Sequence, residues 1–513
     1  MRKFLIFTFL RLAKIFRDLV STTNTSYLLL FKPGFESLRW KIGVWKAWRV
    51  FELASKNTPA YQKFLKNYNF KKLRISGLTP LISEIPATDK ASYVKKYSIE
   101  ERCVGGKFPT GGIMIDESSG TSGTPNNWVR GNAERLAVKK ALQVAMHSVV
   151  GKKQIFIINA FALGPWATGM NVSISFVDVA ILKSVGPDIK KIENTLNLFG
   201  PKYEYVIMGY PPFLKNLVDN SNVNWKEFNI IAVFGGEGLS EGMRDYLGKY
   251  FNMVIGSYGA SDLEINIAAE NDFTISLRKL MIENNDLRNR LVRVDSKNLP
   301  MVFQYNPLDY YIETNNEGEL IITLCRDSNV SPKVRYNIHD TGHVIRYPEI
   351  VKILQELKIP LSKISKSETD LPLLFHYGRS DMAVAFFGCK ITPQDIQQVI
   401  YSLPKLARVV NSFSMITYED EKVNKKLTLA LELSEGLKVP KELNEKEIGL
   451  KIFERLKDVN QDYREISGIV PKSSTPIIEV YEYGKGPFAI NDIRLKQNYI
   501  QKKIIHIIIY YTY

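Results

Sequence analysis

The chain is organised around one stretch, Glu117-Ser118-Ser119-Gly120-Thr121-Ser122-Gly123-Thr124-Pro125-Asn126-Asn127. It lies between an apolar run at residues 113–115 and a segment with helical periodicity at residues 133–150. Glycine lets the backbone turn so that several N–H groups converge on one anion, and Ser and Thr hydroxyls add further donors. The same composition is typical of a solvated linker. No Gly-Lys-Ser/Thr ends the stretch, which excludes a Walker phosphate loop. The residues alone therefore predict either a phosphate loop or a linker.

Beyond this stretch, short apolar runs alternate with glycine-containing turns and helical segments. The runs lie at residues 154–160, 205–208 and 230–234, and the last of them ends in Gly235-Gly236-Glu237. A repeated order of strand, turn and helix predicts a largely parallel sheet with helices on its faces. In such sheets, ligands bind at the carboxyl ends of the strands.

A second stretch contains residue types that can bind a nucleotide or a metal ion. It follows the run at residues 253–257 and reads Tyr258-Gly259-Ala260-Ser261-Asp262-Leu263-Glu264. An aromatic ring suits a purine, a hydroxyl suits a phosphate, and carboxylates suit Mg²⁺. A strand that ends in a turn with an acidic helix start has the same residues. Only its combination with other motifs favours the functional interpretation.

Together these stretches resemble the adenylate-forming enzymes, the acyl-CoA synthetase superfamily, and most closely its phenylacetate-CoA ligase-like branch. Residues 117–127 are similar to the family's Ser/Thr-rich phosphate loop, although Asn126 stands where the family commonly has lysine. Residues 258–262 look like the Tyr-Gly-x-Thr-Glu element, with Ser261 for Thr and Asp262 for Glu. The resemblance extends over roughly residues 57–500.

Two later motifs carry the same resemblance. Residues 334–342 are similar to the family's Arg-Tyr-x-x-Gly-Asp-x-Gly element, with Asp340 in the acidic position and His339 in place of Gly. A carboxylate suits a ribose diol because it accepts two hydrogen bonds at once. Residues 378–381 resemble the family's Gly-Arg-x-Asp hinge, which contains Arg379 and Asp381.

The resemblance implies an α/β fold and a domain division. It implies a large N-terminal adenylate-forming domain, with mainly parallel sheets flanked by helices, and a small mobile α+β C-terminal domain. We expect a basic helical segment at 1–70, an adenylation domain at 71–378, a hinge at 379–381, a lid at 382–503 and an apolar tail at 504–513.

The resemblance also implies a reaction. A carboxylic acid would be activated by ATP through an acyl-adenylate and passed to coenzyme A, with Mg²⁺ as cofactor. The implied nucleotide-binding residues are Ser118, Ser119, Gly120, Thr121, Ser122, Gly123, Thr124, Gly235, Gly236, Glu237, Tyr258, Gly259, Ala260, Ser261, Asp340 and Arg379. The implied metal ligand is Asp262 or Glu264. The implied catalytic lysine is Lys496, preferred over Lys485 because it precedes the apolar pair Tyr499-Ile500.

The substrate acid is not specified by these motifs. We expect residues 160–169 and 209–212 to line its pocket, and Phe161, Trp166 and Tyr210 to favour an aromatic or otherwise apolar acid. Two other functions stay open. One is an adenylating enzyme that passes the acyl group to a carrier-protein thiol or an amine, and the other is a silent, membrane-associated nucleotide-binding protein.

Composition limits the cellular setting. The net charge of +16 is concentrated in residues 1–70, which hold 13 Lys/Arg against 3 Asp/Glu. Such a local excess favours a membrane surface or solubility over nucleic acid. Three widely spaced cysteines suggest neither a disulfide framework nor a metal site. We therefore expect a cytoplasmic ligase with no nucleic-acid partner; peripheral membrane contact through residues 1–20 and a homodimer both stay open.

Overall fold

The computed structural model describes residues 2–117, 126–164, 166–293, 299–379, 384–386, 389–419, 425–440, 443–460, 463–464, 467, 474–489 and 500–502. The helices are α1 (Arg2–Val20), α2 (Asn24–Leu28), α3 (Glu36–Asn57), α4 (Pro59–Asn67), α5 (Asn132–Val150), α6 (Ala167–Phe176), α7 (Ile189–Phe199), α8 (Pro211–Asn220), α9 (Glu241–Leu247), α10 (Asp272–Glu283), α11 (Asn285–Leu291), α12 (Tyr347–Glu356), α13 (Pro393–Ser402), α14 (Pro404–Val409) and α15 (Glu445–Val459).

The strands follow the same chain order. They are β1 (Ile75–Ser76), β2 (Thr79–Pro80), β3 (Ile113–Glu117), β4 (Asn127–Gly131), β5 (Ile155–Asn159), β6 (Ile181–Ser184), β7 (Glu204–Gly209), β8 (Asn229–Gly235), β9 (Met253–Tyr258), β10 (Ala268–Ala269), β11 (Met301–Tyr305), β12 (Tyr310–Thr314), β13 (Glu319–Leu324), β14 (Tyr336–Ile345), β15 (Leu373–Arg379), β16 (Val384–Phe386), β17 (Cys389–Ile391), β18 (Val410–Glu419), β19 (Lys425–Leu433), β20 (Ile477–Tyr481) and β21 (Ile500–Lys502).

The central sheet has the strand order β12-β13-β14-β15-β11-β10-β9-β8-β7-β5-β6. Its pairs from β6 to β9 are parallel, as predicted from the alternation of strands and helices. Strands β5 and β7 are almost wholly apolar, as expected when helices cover both faces of a parallel sheet. The remaining pairs, from β9 to β12, are antiparallel, so the sheet is mixed.

The antiparallel part places two predicted functional positions side by side. In the pairing of β14 with β15, Asp340 lies opposite Arg379. These residues are far apart in sequence, and only the sheet register brings their backbones together. The register therefore supports the grouping that the motifs implied, although the Arg379 side chain is outside the described part of the molecule.

The organising stretch connects two paired strands. Strands β3 and β4 run antiparallel, with Glu117 opposite Asn127 at the end of the ladder. Residues 118–125 between them lie outside the described part of the chain. Helix α5 begins directly after β4, as the periodicity predicted.

The first residues form helices, as their pattern predicted. In α3, Trp45, Trp48 and Phe51 are buried in the core of the molecule. Helix α1 packs on α3 through Ile6 and Leu10. No helix among the described residues combines the length and apolar character needed to cross a bilayer.

The last part of the chain has its own small sheet, ordered β20-β19-β18-β21. Helices α13 and α15 cover it, and Ile396, Met415, Leu429 and Ile452 belong to its separate apolar core. Thr392 caps α13 by accepting a hydrogen bond from the Asp395 N–H, with Pro393 at the first helical position. These elements match the predicted α+β arrangement.

Candidate active site

A cavity of about 390 Å³ opens at the carboxyl ends of β8 and β9. Gly235 and Gly236 line it after β8, and Gly259, Ala260 and Ser261 line it after β9. Gly236 has a φ of +85°, a backbone conformation that disfavours other residues. Two strand-end loops predicted to meet a ligand therefore face one common space, as expected where parallel strands end at the same sheet edge.

One side of this cavity is an aromatic wall made of Phe161, Trp166 and Tyr210. The Phe161 and Tyr210 rings meet edge to face with centroids 5.1 Å apart. Burial raises the pKa of Tyr210 to about 12, so its hydroxyl stays protonated at neutral pH. These three residues therefore line one cavity; that this cavity holds the acid stays a prediction.

The N-terminal segment closes part of the same cavity. Tyr27, Leu28 and Phe31 line it together with residues of α5. Thr25 Oγ1 lies 3.0 Å from His147 Nε2, which fixes α2 against α5. The sequence did not predict this contribution, because contacts between residues so far apart in the chain leave no local pattern.

A cluster of polar side chains, here called the Asp340 cluster, contains Tyr258, Asp340 and His376. The Tyr258 hydroxyl donates a hydrogen bond of 2.6 Å to Asp340 Oδ2. His376 Nε2 lies 3.3 Å from the same oxygen, and the His376 ring packs on Tyr258 with centroids 4.7 Å apart. Two residues that the sequence assigned to the nucleotide are thus in direct contact.

The Asp340 cluster borders a second, smaller cavity of about 190 Å³ through His376. Residues 238–242, the end of the loop after β8 and the first turn of α9, line one side of this space, and Gln394 and Gln398 of α13 line another. The cavity therefore lies between the large sheet and the C-terminal part of the chain. Any ligand held by Asp340 would be close to both.

Glu237 follows Gly236 and is half-buried. Its negative charge contributes to the raised pKa of Tyr210, although burial is the larger cause. Glu237 is therefore close to the aromatic wall, while the sequence assigned it to the nucleotide. That assignment stays a prediction.

The predicted metal ligands Asp262 and Glu264 are engaged by different partners. Asp262 accepts a hydrogen bond of 2.9 Å from Tyr336 Oη and pairs with Lys90 at 3.2 Å. Both carboxylate oxygens of Glu264 accept hydrogen bonds from the Arg326 guanidinium, and one of them also accepts a hydrogen bond from the Tyr310 hydroxyl. Among the described residues, no group of three His, Cys, Asp or Glu side chains could hold a metal ion. Both carboxylates are thus already neutralised by cations, an arrangement that does not fit a resident Mg²⁺.

A buried ion cluster that joins β3, β4 and α5 was missed by sequence reasoning. Arg130 of β4 contacts Asp116 of β3 at 3.2 Å and Glu134 of α5 at 3.1 Å. It also donates a hydrogen bond of 2.5 Å to the carbonyl oxygen of Ser261. Burial raises the pKa of Glu134, against the opposing effect of Arg130. One side chain therefore ties the hairpin to the cavity loop. The sequence signal for it was a set of charged residues on both sides of the glycine-containing stretch.

Lys333 is a second buried cation that the sequence did not indicate. Its Nζ lies 4.5 Å from the centroid of the Trp128 ring, next to the same hairpin. Burial, reinforced by Arg130 and Arg102, lowers the pKa of Lys333 to about 7. This lysine packs against β4 through the Trp128 ring and does not line the large cavity.

Several predicted residues lie outside the described part of the molecule. They are Ser118, Ser119, Gly120, Thr121, Ser122, Gly123, Thr124, Asp381 and Lys496. Their assignments stay predictions. The alternative lysine, Lys485, is exposed and precedes a short 3₁₀ turn.

Solved structures share the fold over nearly the whole chain. A crystal structure of 2-hydroxyisobutyryl-CoA ligase in the postadenylation state with 2-HIB-AMP has a TM-score of 0.65 and 13% identity, covering 92% of this chain and 91% of that chain. The same ligase with R3-HIB-AMP gives a TM-score of 0.63 and 13% identity, with coverages of 90% and 89%. The same ligase with 2-HIB-AMP and CoA in the thioesterification state has a TM-score of 0.52 and 14% identity, covering 92% of this chain and 91% of that chain.

Sequence comparison finds no such neighbour: no protein-family model and no curated protein matches the chain. The structural likeness, at these identities, establishes the fold alone. The predicted fold class is therefore confirmed, and the chemistry has to be argued from the residues.

Proposed function

We propose that this protein activates a carboxylic acid with ATP through an acyl-adenylate and then transfers the acyl group to coenzyme A. One observation carries the proposal: a single cavity joins the aromatic wall to the loops after β8 and β9. An apolar pocket that ends at a strand-edge turn suits an acid whose carboxylate must meet a phosphate. We also propose that the protein belongs to the phenylacetate-CoA ligase-like branch of the acyl-CoA synthetases.

The proposed chemistry has two steps. A carboxylate oxygen attacks the α-phosphorus of ATP, the bond to pyrophosphate breaks, and an acyl-adenylate forms. The thiolate of coenzyme A then attacks the acyl carbon, and AMP leaves. Such transfers depend mainly on positioning and charge neutralisation.

The described residues would act by binding and orientation. The aromatic wall would hold the acid, which we expect to be aromatic or otherwise apolar. Asp340, held by the Tyr258 hydroxyl, would accept hydrogen bonds from the ribose. Ser261, held through its carbonyl by Arg130, would lie close to the reacting phosphate.

Residues outside the described part complete the proposal. Residues 118–124 would bind the terminal phosphates, Arg379 the ribose, and Lys496 the developing charge. Magnesium would enter as MgATP. Because Asp262 and Glu264 are paired with Lys90 and Arg326, no step is assigned to a metal held by them.

Peripheral membrane contact and a homodimer are proposals as well, and the reaction needs neither. Transfer to a carrier-protein thiol or an amine remains an alternative second step. Adding coenzyme A to a reaction that releases pyrophosphate separates these outcomes, because only thiolation by coenzyme A yields an acyl-CoA.

The direct test is acid-dependent pyrophosphate release from MgATP across aromatic and fatty acids. Lys496→Ala is expected to abolish most of this release, whereas the matched variant Lys485→Ala retains it. Loss in Lys485→Ala alone would move the catalytic assignment to that lysine. ATP binding without release for any acid would contradict the ligase and favour a silent nucleotide-binding protein.

A further inference from the structure

Helix α1 contacts the rest of the molecule mainly through one side, and at the border of the opposite side the Phe9 ring meets Trp45 with centroids 5.9 Å apart. Ile6 and Leu10 are buried, and the Phe7 ring meets Trp48 with centroids 5.1 Å apart. Lys3 Nζ forms an ion pair with Glu52 Oε2 at 2.5 Å. These contacts fix the helix on α3 and leave its opposite side facing outward.

The outward side of α1 is apolar. Its large side chains are between 41% and 74% exposed, and they are Phe4, Leu5, Phe9, Leu12, Ile15, Phe16 and Leu19. At 100° per residue they fall in one continuous arc of about 140°, interrupted only by Thr8. A water-facing helix side normally carries polar residues, so this face is unpartnered in the isolated chain.

A cation borders this apolar arc. Arg11 lies beside Phe4 at one edge of the arc and is exposed. Lys14 is exposed as well, but it lies about 60° beyond Arg11, toward the side of the helix that contacts α3. The acidic side chain of α1, Asp18, is paired with Arg17 at 3.1 Å. Residues 1–70 carry most of the excess positive charge of the whole chain. An apolar face beside exposed basic residues matches a bilayer whose surface carries anionic headgroups.

We propose that the outward face of α1 docks the protein on an anionic lipid bilayer. The helix would lie along the interface, with its apolar arc among the headgroups and upper acyl chains and with Arg11 at the level of the lipid phosphates. A second copy of the chain is a poorer occupant, because a symmetric contact would bring this net-positive helix against itself. The proposal does not depend on the ligase reaction.

The test uses the full-length protein with vesicles of phosphatidylcholine alone and with about a third phosphatidylserine, in a flotation assay. The key variant is Leu12→Gln/Phe16→Gln/Leu19→Gln. The matched control, Leu136→Gln/Val177→Thr/Leu198→Gln, removes exposed apolar side chains from other surfaces. All of these positions are exposed, so thermal melting is expected to stay close to that of the wild type.

We expect the wild type to float with anionic vesicles. The control variant, Leu136→Gln/Val177→Thr/Leu198→Gln, should float to the same extent. The α1 variant should bind on the order of a hundredfold more weakly. Arg11→Gln should lose about fivefold on anionic vesicles, and less at high salt. Equal binding by wild type and α1 variant would overturn the proposal. So would a lipid-free dimer, seen by light scattering, that the α1 variant converts to monomer while neither form binds vesicles.

Discussion

The aromatic wall and the Asp340 cluster serve one proposed reaction but are built on different principles. The wall consists of ring surfaces, whose contribution depends on shape and area. The cluster consists of individual atoms, such as the Tyr258 hydroxyl 2.6 Å from Asp340 Oδ2. A change of one atom should therefore matter at the cluster, while a change of a whole ring should alter selectivity at the wall.

The largest effect is expected from Asp340→Asn. Replacing one carboxylate oxygen by an amide removes an acceptor for the ribose. It also removes the negative charge that strengthens the hydrogen bond from the Tyr258 hydroxyl. We expect acid-dependent pyrophosphate release to fall by about 100-fold or more in kcat/KM. Asp327→Asn, at an ion pair with Arg49, is the matched control and should retain activity. A loss below threefold would remove Asp340 from the nucleotide site.

A smaller effect is expected from Arg130→Lys, which tests whether the cavity loop after β9 needs the support that Arg130 of the β3–β4 hairpin gives it through the Ser261 carbonyl. Lysine keeps the charge but cannot contact Asp116, Glu134 and the Ser261 carbonyl at once. We expect kcat to fall about tenfold, with a lower melting temperature because buried carboxylates lose partners. Arg49→Lys is the control on a more exposed pair. Lower stability with unchanged kcat would make Arg130 purely structural.

At the aromatic wall, Trp166→Ala should change which acid is used. Loss of the ring enlarges the cavity, so KM for a small aromatic acid should rise about tenfold while kcat changes little. Larger acids should be favoured relative to the wild type. Competition between two acids, with products quantified by mass spectrometry, measures this shift directly. An unchanged preference would show that the acid binds elsewhere.

The smallest effect concerns a residue outside both regions. Burial, reinforced by Arg293, lowers the pKa of His343 from 6.5 to about 4. Between these values the unfolded chain binds a proton that the folded protein excludes. Stability is therefore full above about pH 6.5 and is lost as the pH falls toward 4, by roughly 2 kcal/mol at pH 5.

His343→Gln should flatten this dependence. Glutamine can still donate to the Leu291 carbonyl oxygen, which His343 Nε2 contacts at 2.9 Å. Chemical unfolding at pH 7 and pH 5 measures the difference. A pH dependence equal in the variant and the wild type would assign acid sensitivity to other groups.

The sequence predicted individual helices and strands better than it predicted which elements pack against each other. Local periodicity identified β5, β7, β8 and α5, since alternation of apolar runs with turns is a local property. It did not indicate the antiparallel half of the sheet, because pairing across long separations leaves no local pattern. The placement of Tyr27 at the cavity was missed for the same reason.

Site chemistry shows the same limit. Motif order placed Tyr258 and Asp340 together, and their contact agrees with it. It also named Asp262 and Glu264 as metal ligands, but composition cannot reveal that Lys90 and Arg326 already occupy them. Arg130 was overlooked because its importance lies in three partners on separate elements.

The central claim is that an acyl-adenylate forms at the cavity. The most direct measurement is mass spectrometry of enzyme incubated with MgATP and its preferred acid, first without and then with coenzyme A. The account predicts an enzyme-bound acyl-AMP that disappears when coenzyme A is added, while an acyl-CoA appears. Formation of ADP and phosphate, or no adenylate with any acid despite bound ATP, would contradict it.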